Sequence, residues 1–345
     1  MAELVARAGK ARTLLTTLVM LRRERPDLFD AATGIGLWVL FGAFLIFAVI
    51  TDLQLVVVGI ILGSIVALGA IGLTLVYGIM KFANFAHGDM MMCGAYLAFF
   101  AFISGGSIGP LSFGYGMILA ILVAMISVGV GSVVIDRLVY HPLRQRGSGV
   151  VVFAIASLGL AITFRALILL WWGPQPQIYV TGIHPAWDLP FGVKIKPDQI
   201  FIIATTLFLI AAVYVLLFRT RIGKAMRAMS DNLELARVSG INPDQVIMWT
   251  WLIGGSLAAV AGVLLGIQSQ LTPDMGFSLL LPLFAATILG GIGSPHGALT
   301  GAMVVSIAQQ VSTSWIDPGY KVAVAFILLI LMLAVRPRGL FGMKT

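Results

Sequence analysis

The residues able to do chemistry are few, and they stand at breaks in otherwise apolar sequence. From Gly72 to Tyr96 the chain reads G-L-T-L-V-Y-G-I-M-K-F-A-N-F-A-H-G-D-M-M-M-C-G-A-Y, and Lys81, His87 and Asp89 are the only charged or histidine residues between Leu53 and Ile103. A second break, Leu289 to Gly297, reads L-G-G-I-G-S-P-H-G. There is no paired-carboxylate site, no Cys/His spacing for a metal and no nucleophile beside a base. The chemistry these residues suggest is the binding and passage of a polar solute, and the chain is expected not to be an enzyme.

The elements that must position these residues follow from composition. Hydrophobic residues make up 59% and charged residues 10% of 345, with a mean hydropathy of +1.03; an ordinary soluble domain is about a quarter charged. An all-α polytopic membrane protein is expected. A bilayer core of about 30 Å takes about 20 helical residues, so Leu53 to Ile103 must hold two spans with a polar hinge at Asn84 to Asp89. Irregular backbone at that depth survives only where it is buried in protein or lines a watery cavity. Further spans are predicted at Thr33–Ile50, Gly114–Ile135, Gly149–Trp172, Gln199–Phe218, Ile247–Ile267, a broken pair Leu279–Ile292 and Gly297–Thr313, and Lys321–Val335. That makes about ten transmembrane helices, including two broken, Gly-hinged pairs.

Charge asymmetry gives the orientation. With both termini cytoplasmic, all but four of the 22 Lys and Arg fall in inner segments, the exceptions being Lys194, Lys196, Lys321 and Arg165 within a span, as the positive-inside rule requires. The domain reading is a basic cytoplasmic arm over residues 1–32, one transmembrane domain over 33–335 with a cytosolic loop at 219–246, and a cytoplasmic tail from 336. The arm is either an amphipathic helix on the anionic inner leaflet or a loosely ordered tail. Membrane lipid accounts for the net charge of +8, and no nucleic-acid partner is expected. The lone Cys93 excludes an internal disulfide and reads as a buried thiol.

Each polar residue carries two readings. Asn84, His87 and Gly88, with Tyr77 before them, are candidates for the substrate pathway; the alternative is helix-to-helix hydrogen bonding. Asp89 either caps the helix that follows or takes part in a site. Gly290, Gly291, Gly293 and His296 form the second hinge, or serve close packing. The sequence repeats Ala86-His87-Gly88 as Pro295-His296-Gly297, which by this topology is a parallel similarity. Matching broken segments point to a transport site because half-helix ends can face a substrate there. Arg165 either binds a carboxylate or snorkels or pairs structurally. Gln268, Gln270 and Asp274 line the outer mouth or a solvated loop. The outer loop Gly173–Asp198, with five prolines behind Trp171-Trp172, is either a docking lid or a connector.

The cytosolic loop reads as a helix from about Lys224 to Ser239, stopped by Gly240, with a second helix begun by Asn242 and Pro243. Its segment Glu234 to Pro243, E-L-A-R-V-S-G-I-N-P, resembles the E-x-A-x-x-x-G coupling loop of ATP-binding-cassette (ABC) importer permeases. Together with N-F-A-H-G-D (Asn84–Asp89), D-R-L-V-Y-H-P-L-R (Asp136–Arg144), L-G-G-I-G-S-P-H-G and R-P-R-G-L-F-G (Arg336–Gly342), it resembles the permease subunits of the branched-chain amino acid and urea uptake family. The resemblance runs from about Leu55 to Gly342, so the arm and first span are an extension. It implies a bacterial inner-membrane protein that moves a small polar or zwitterionic solute by alternating access, a branched-chain amino acid first and urea or a short amide second. It further implies Lys224, Arg227, Glu234, Ala236, Gly240, Asn242 and Pro243 as the ATPase-coupling residues. The partners it implies are ATP-binding subunits, a second related permease in a heterodimer or homodimer, and a periplasmic solute-binding protein. No Walker A pattern occurs, so no cofactor is expected on this chain and ATP-Mg would sit on the ATPase. The alternative is an ATP-independent small-solute channel.

Overall fold

The computed structural model describes residues 26–102, 111–179, 185–189, 192–336 and 339–341; residues 1–25 of the expected arm and 337, 338 and 342–345 of the tail lie outside them. Helices occupy every stretch read as a span. They are α1 (Pro26–Thr51), α2 (Leu53–Met80), α3 (His87–Ala101), α4 (Tyr115–Ile135), the short α5 (His141–Gln145), α6 (Val150–Trp172), α7 (Pro197–Arg219), α8 (Arg221–Asp231), α9 (Leu233–Val238), α10 (Pro243–Gln268), α11 (Met275–Gly290), α12 (Pro295–Val311) and α13 (Lys321–Val335). Among the described residues, six helices are long and apolar enough to cross a membrane: α2, α4 with its continuation to Gln145, α6, α7, α10 and the last from Pro318 to Val335. This is a multi-pass, all-α membrane protein.

Burial separates the helices into an inner and an outer set. The most apolar stretches of α2 and α10 are 72% and 78% buried within the protein, whereas that of α13 is 11% buried and its apolar side chains are left for lipid or a partner. α2 and α10 cross at Gly72 and Gly254, where a Cβ on either would meet the other's backbone carbonyl at 2.9 and 3.2 Å. α3 packs on α10 just as closely: a Cβ on Gly262 would collide with the Met91 carbonyl, and one on Gly94 with the Ala259 backbone. In lipid, where apolar surface gives no drive for helices to associate, such small-residue contacts let van der Waals packing and interhelical contacts take over.

Two local departures have plain causes. α4 widens to a π-helical turn at Asp136–Tyr140 before α5, where Pro142 cannot donate to the turn before it. The single helix expected at Lys224–Ser239 is instead α8 and α9, because the Asn232 side chain accepts the Leu235 N–H at 2.9 Å and starts a new helix. The outer loop holds a two-residue antiparallel ladder, Trp187–Asp188 with Lys194–Ile195.

The break expected at Leu289–Gly297 is a tight turn between antiparallel α11 and α12, with Gly291 and Gly293 at φ of 105° and 88° and the Ser294 side chain accepting the Gly297 N–H. The break that mirrors Lys81–Ala86 is a different one, Ser269–Asp274 between α10 and α11. The pairs α2–α3 and α10–α11 each consist of a long helix followed by a half-length helix of 15 or 16 residues, and they run in opposite senses. The pairs compared in the sequence, α2–α3 and α11–α12, do run in the same sense, since α2 and α11 both lie antiparallel to α12 (Gly59 against Ile307 and Gly63 against Met303; Gly301 against Ala286). The repeat of α2–α3 in α10–α11 is inverted. It escaped sequence reading because His87-Gly88 and Met275-Gly276 share only the glycine.

Because the α3–α10 contact leaves no room for a methyl, Gly262→Ala is expected to destabilise the fold by about 1–3 kcal/mol. Gly131→Ala, with open space around its Cβ position, is expected to be neutral. Melting of both variants in detergent checks this.

Candidate functional site

The first break is built from buried backbone that finds side-chain partners. Lys81 ends α2 in the left-handed conformation, φ 56°, and its Nζ donates to the Ser230 carbonyl of α8 at 3.0 Å. The chain then climbs back beside α2. Phe82 packs on Tyr140 and Phe153 with ring centroids 5.2 and 5.3 Å away, and the Phe85 N–H donates to Ser157 Oγ at 3.0 Å. The wholly buried Asn84 accepts the Ala86 N–H at 3.1 Å and the Tyr140 hydroxyl at 3.4 Å. His87 Nε2 lies 2.9 Å from the Gly69 carbonyl. A carbonyl only accepts, so the proton is on Nε2 and Nδ1 is left as a buried acceptor without a partner. Gly69 lies eleven residues before Met80, about 16 Å back along the helix. α3 therefore starts deep in the apolar layer.

α11 starts at the same depth. The second residue of each half-helix, Gly88 and Gly276, lies backbone to backbone with the other, so tightly that neither admits a Cβ. From this meeting point the half-helices diverge. α3 leads to Phe99 and Phe102 beside Tyr179 of the loop between α6 and α7, and α11 leads to Gly290 against Gly297. The Tyr179 hydroxyl donates to the Ala95 carbonyl at 2.7 Å, and burial pushes its titration well above the ordinary phenol range.

Charged residues gather at the same point. Asp89, in the first turn of α3, is wholly buried; the N-cap is Ala86, without a side-chain bond, so Asp89 does not cap the helix. Its Oδ1 faces Arg165 Nη2 of α6 at 3.4 Å, and Arg165 Nη1 faces the exposed Asp274 at 3.4 Å. The guanidinium lies 4.9 Å over the Phe277 ring of α11. Arg165 is thus paired, as one of its two sequence readings had it.

On the other face, a cavity of about 310 Å³ opens between α2, α7, α8 and the α11–α12 turn, with Thr74, Gly78, Arg227, Ser230, Gly293 and His296 among its lining residues. The Gly293 N–H donates to Thr74 Oγ1 at 2.9 Å. His296 stacks on Phe218, and Arg227 lies 4.7 Å over the same ring. One cavity therefore joins the turn to α8. Of the other candidates, Gly88 and Gly290 serve backbone contact, Gly291 packs beside Gly339, and Tyr77 uses its carbonyl to accept the Lys81 N–H.

Beyond the cavity the loop between α7 and α10 forms an elbow. Ala236 of α9 is buried, whereas Leu235 and Val238 are 62% and 83% exposed; Glu234 and Arg237 are exposed as well. Gly240 turns the chain at φ 84°, and Asn242 caps α10 by accepting the Asp244 and Gln245 N–H groups, with Pro243 at its first position. Lys224 is exposed on α8.

Comparison with known proteins agrees with this architecture. The family described as branched-chain amino acid transport system / permease component matches residues 55–333. The chain belongs to that family. The high-affinity branched-chain amino acid transport system permease protein BraD of Pseudomonas aeruginosa is 35% identical over 295 residues, covering 84% of this chain and 95% of BraD. LivH of Escherichia coli K12, a permease of the same description, is 36% identical over 293 residues, 82% of this chain and 93% of LivH. The probable branched-chain amino acid transport permease LivH of Methanocaldococcus jannaschii is 28% identical over 297 residues. No solved structure matches the chain.

The family match begins at residue 55, so α1 of this permease lies outside the matched residues. Sequence reading missed the convergence of Asp89, Arg165 and Asp274, which come from three distant segments; the costly ionisable group inside α6 was the signal available. The permease also braces its first break with Arg144, which holds Asp136 through two hydrogen bonds of 2.6 and 2.9 Å. Asp136 is only 8% exposed at its side chain. Arg144→Ala strands that carboxylate and is expected to cost about 3–5 kcal/mol, measured as a lower melting temperature and a smaller folded yield, with Asp136→Asn/Arg144→Gln recovering part of the loss.

Proposed function

We propose that this permease is the translocating subunit of an ATP-driven importer for a branched-chain or similarly apolar amino acid, working by alternating access in ten spans with both ends cytoplasmic. The relatives named for branched-chain amino acid transport favour that solute class over urea. The partners in this reading are ATP-binding subunits that carry ATP-Mg, a second permease of related type, and a solute-binding protein on the outer face of the bacterial inner membrane.

The observation that carries the reading is the exposed apolar face of α9. Leu235 and Val238 stand bare beside the positive-φ Gly240, in a loop otherwise rich in Arg and Lys. Apolar side chains at such a site fit a cleft in a cytosolic partner. Motion of the ATPase would reach α8 through the Asn232 joint, then the cavity shared with Gly293 and His296. A passive channel has no need of such a face.

The test is a pair of charge insertions. Leu235→Asp and Val238→Asp are expected to leave the permease folded in the membrane, since both positions are exposed. They should abolish co-purification of the ATP-binding subunits and reduce ATP-dependent uptake by at least about tenfold. Undiminished co-purification and uptake in both variants would sink the coupling role of α9.

A further inference from the structure

We infer that the meeting point of the two half-helices is the binding site for the zwitterionic head of the substrate, with Arg165 reading its carboxylate and Asp89 its ammonium. The inference rests on the amino-acid importer reading above and goes beyond it by assigning the residues.

Three observations carry it. Two half-helix N-terminal turns, those of α3 and α11, face one another across Gly88 and Gly276. The His87 and Met275 N–H groups are taken up by Asn84 and Thr272, while the next N–H groups of each first turn have no partner within their own helix and lie at the positive end of its dipole. Buried polar atoms there lack partners: Oδ2 of Asp89, Nδ1 of His87 and Nε of Arg165, where Asp89 and His87 are wholly buried. A native structure rarely leaves such atoms unpaired, and one explanation is a ligand that completes them. An ammonium donates to Asp89 Oδ2 and His87 Nδ1; a carboxylate accepts from Arg165 Nε and the α11 N–H groups. Both signs of charge lie side by side, as they do in an α-amino acid.

The third observation is Asp274. It is an exposed carboxylate 3.4 Å from Arg165 Nη1, immediately before α11. It stands where a substrate carboxylate arriving from the outer face would pair. In the arrangement seen here Asp274 occupies the arginine, and the substrate replaces it. The Phe277 ring beneath the guanidinium supplies an apolar wall next to the head.

A purely structural ion pair behaves differently under neutral replacement. Arg165→Gln/Asp89→Asn removes the buried carboxylate and its half-buried arginine together, so it strands neither. The complete importer, reconstituted in proteoliposomes with leucine-loaded binding protein, is assayed for uptake and ATP hydrolysis. The double variant is expected to lose uptake by about tenfold or more while hydrolysing ATP in an assembled complex. Asp274→Asn, at an exposed position, is expected to lower the concentration of loaded binding protein at half-maximal uptake by about threefold, because the competing carboxylate is gone. Uptake within twofold of wild type in the double variant, or an unchanged or raised half-saturation in Asp274→Asn, overturns the assignment. Failure of the wild-type complex to import any amino acid would instead overturn the importer reading.

Discussion

Everything in this protein depends on how it pays for backbone that leaves the helix inside an apolar layer. Water is absent there, so each freed N–H and C=O needs a partner from the protein itself. At Lys81–Ala86 the partners are Ser157, Asn84 and, for the helix that follows, the His87 contact to Gly69. Those bonds hold α3 as a half-helix starting at depth. The second half-helix, α11, is held against it by Gly88 and Gly276. A side chain at either glycine would force the two first turns apart and dissolve the juxtaposition.

From that constraint the functional geometry follows in order. Two half-helices meeting at their first turns put positive dipole ends in one place, which in turn permits a wholly buried Asp89 beside Arg165. The inverted sense of the pairs α2–α3 and α10–α11 gives each face of the protein one half-helix leading toward it. The face that carries the α11–α12 turn adds a cavity shared by that turn and α8. Outer loop, half-helix contact, turn and elbow thus form one connected path of packed elements.

Much of this was legible in the sequence. Hydropathy and length located the long apolar helices, Gly240, Asn242 and Pro243 marked the elbow, and five ordered motifs pointed to the family that the comparisons show. What was not legible is pairing across distance. The mirror of the first break was sought at Pro295-His296-Gly297 because those letters repeat, whereas the inverted partner begins at Met275-Gly276, where geometry and not residue type is shared. Asp89 stands at a helix start, where a cap and a site are both open readings; the structure leaves the cap position to Ala86 and turns the carboxylate to an arginine 76 residues away. Asn232 interrupts a helix by a capping bond that competes locally with helical continuation, a balance that periodicity does not register.

The central claim is that ATP hydrolysis by partner subunits drives a solute through this chain. Its most direct test is accumulation of labelled leucine in sealed proteoliposomes holding the purified complex and its binding protein, with ATP supplied on the cytosolic side. The account predicts accumulation above the outside concentration that stops when ATP is withheld. Equilibration to equal concentrations, at the same rate with or without ATP, would contradict it and make the chain a passive channel.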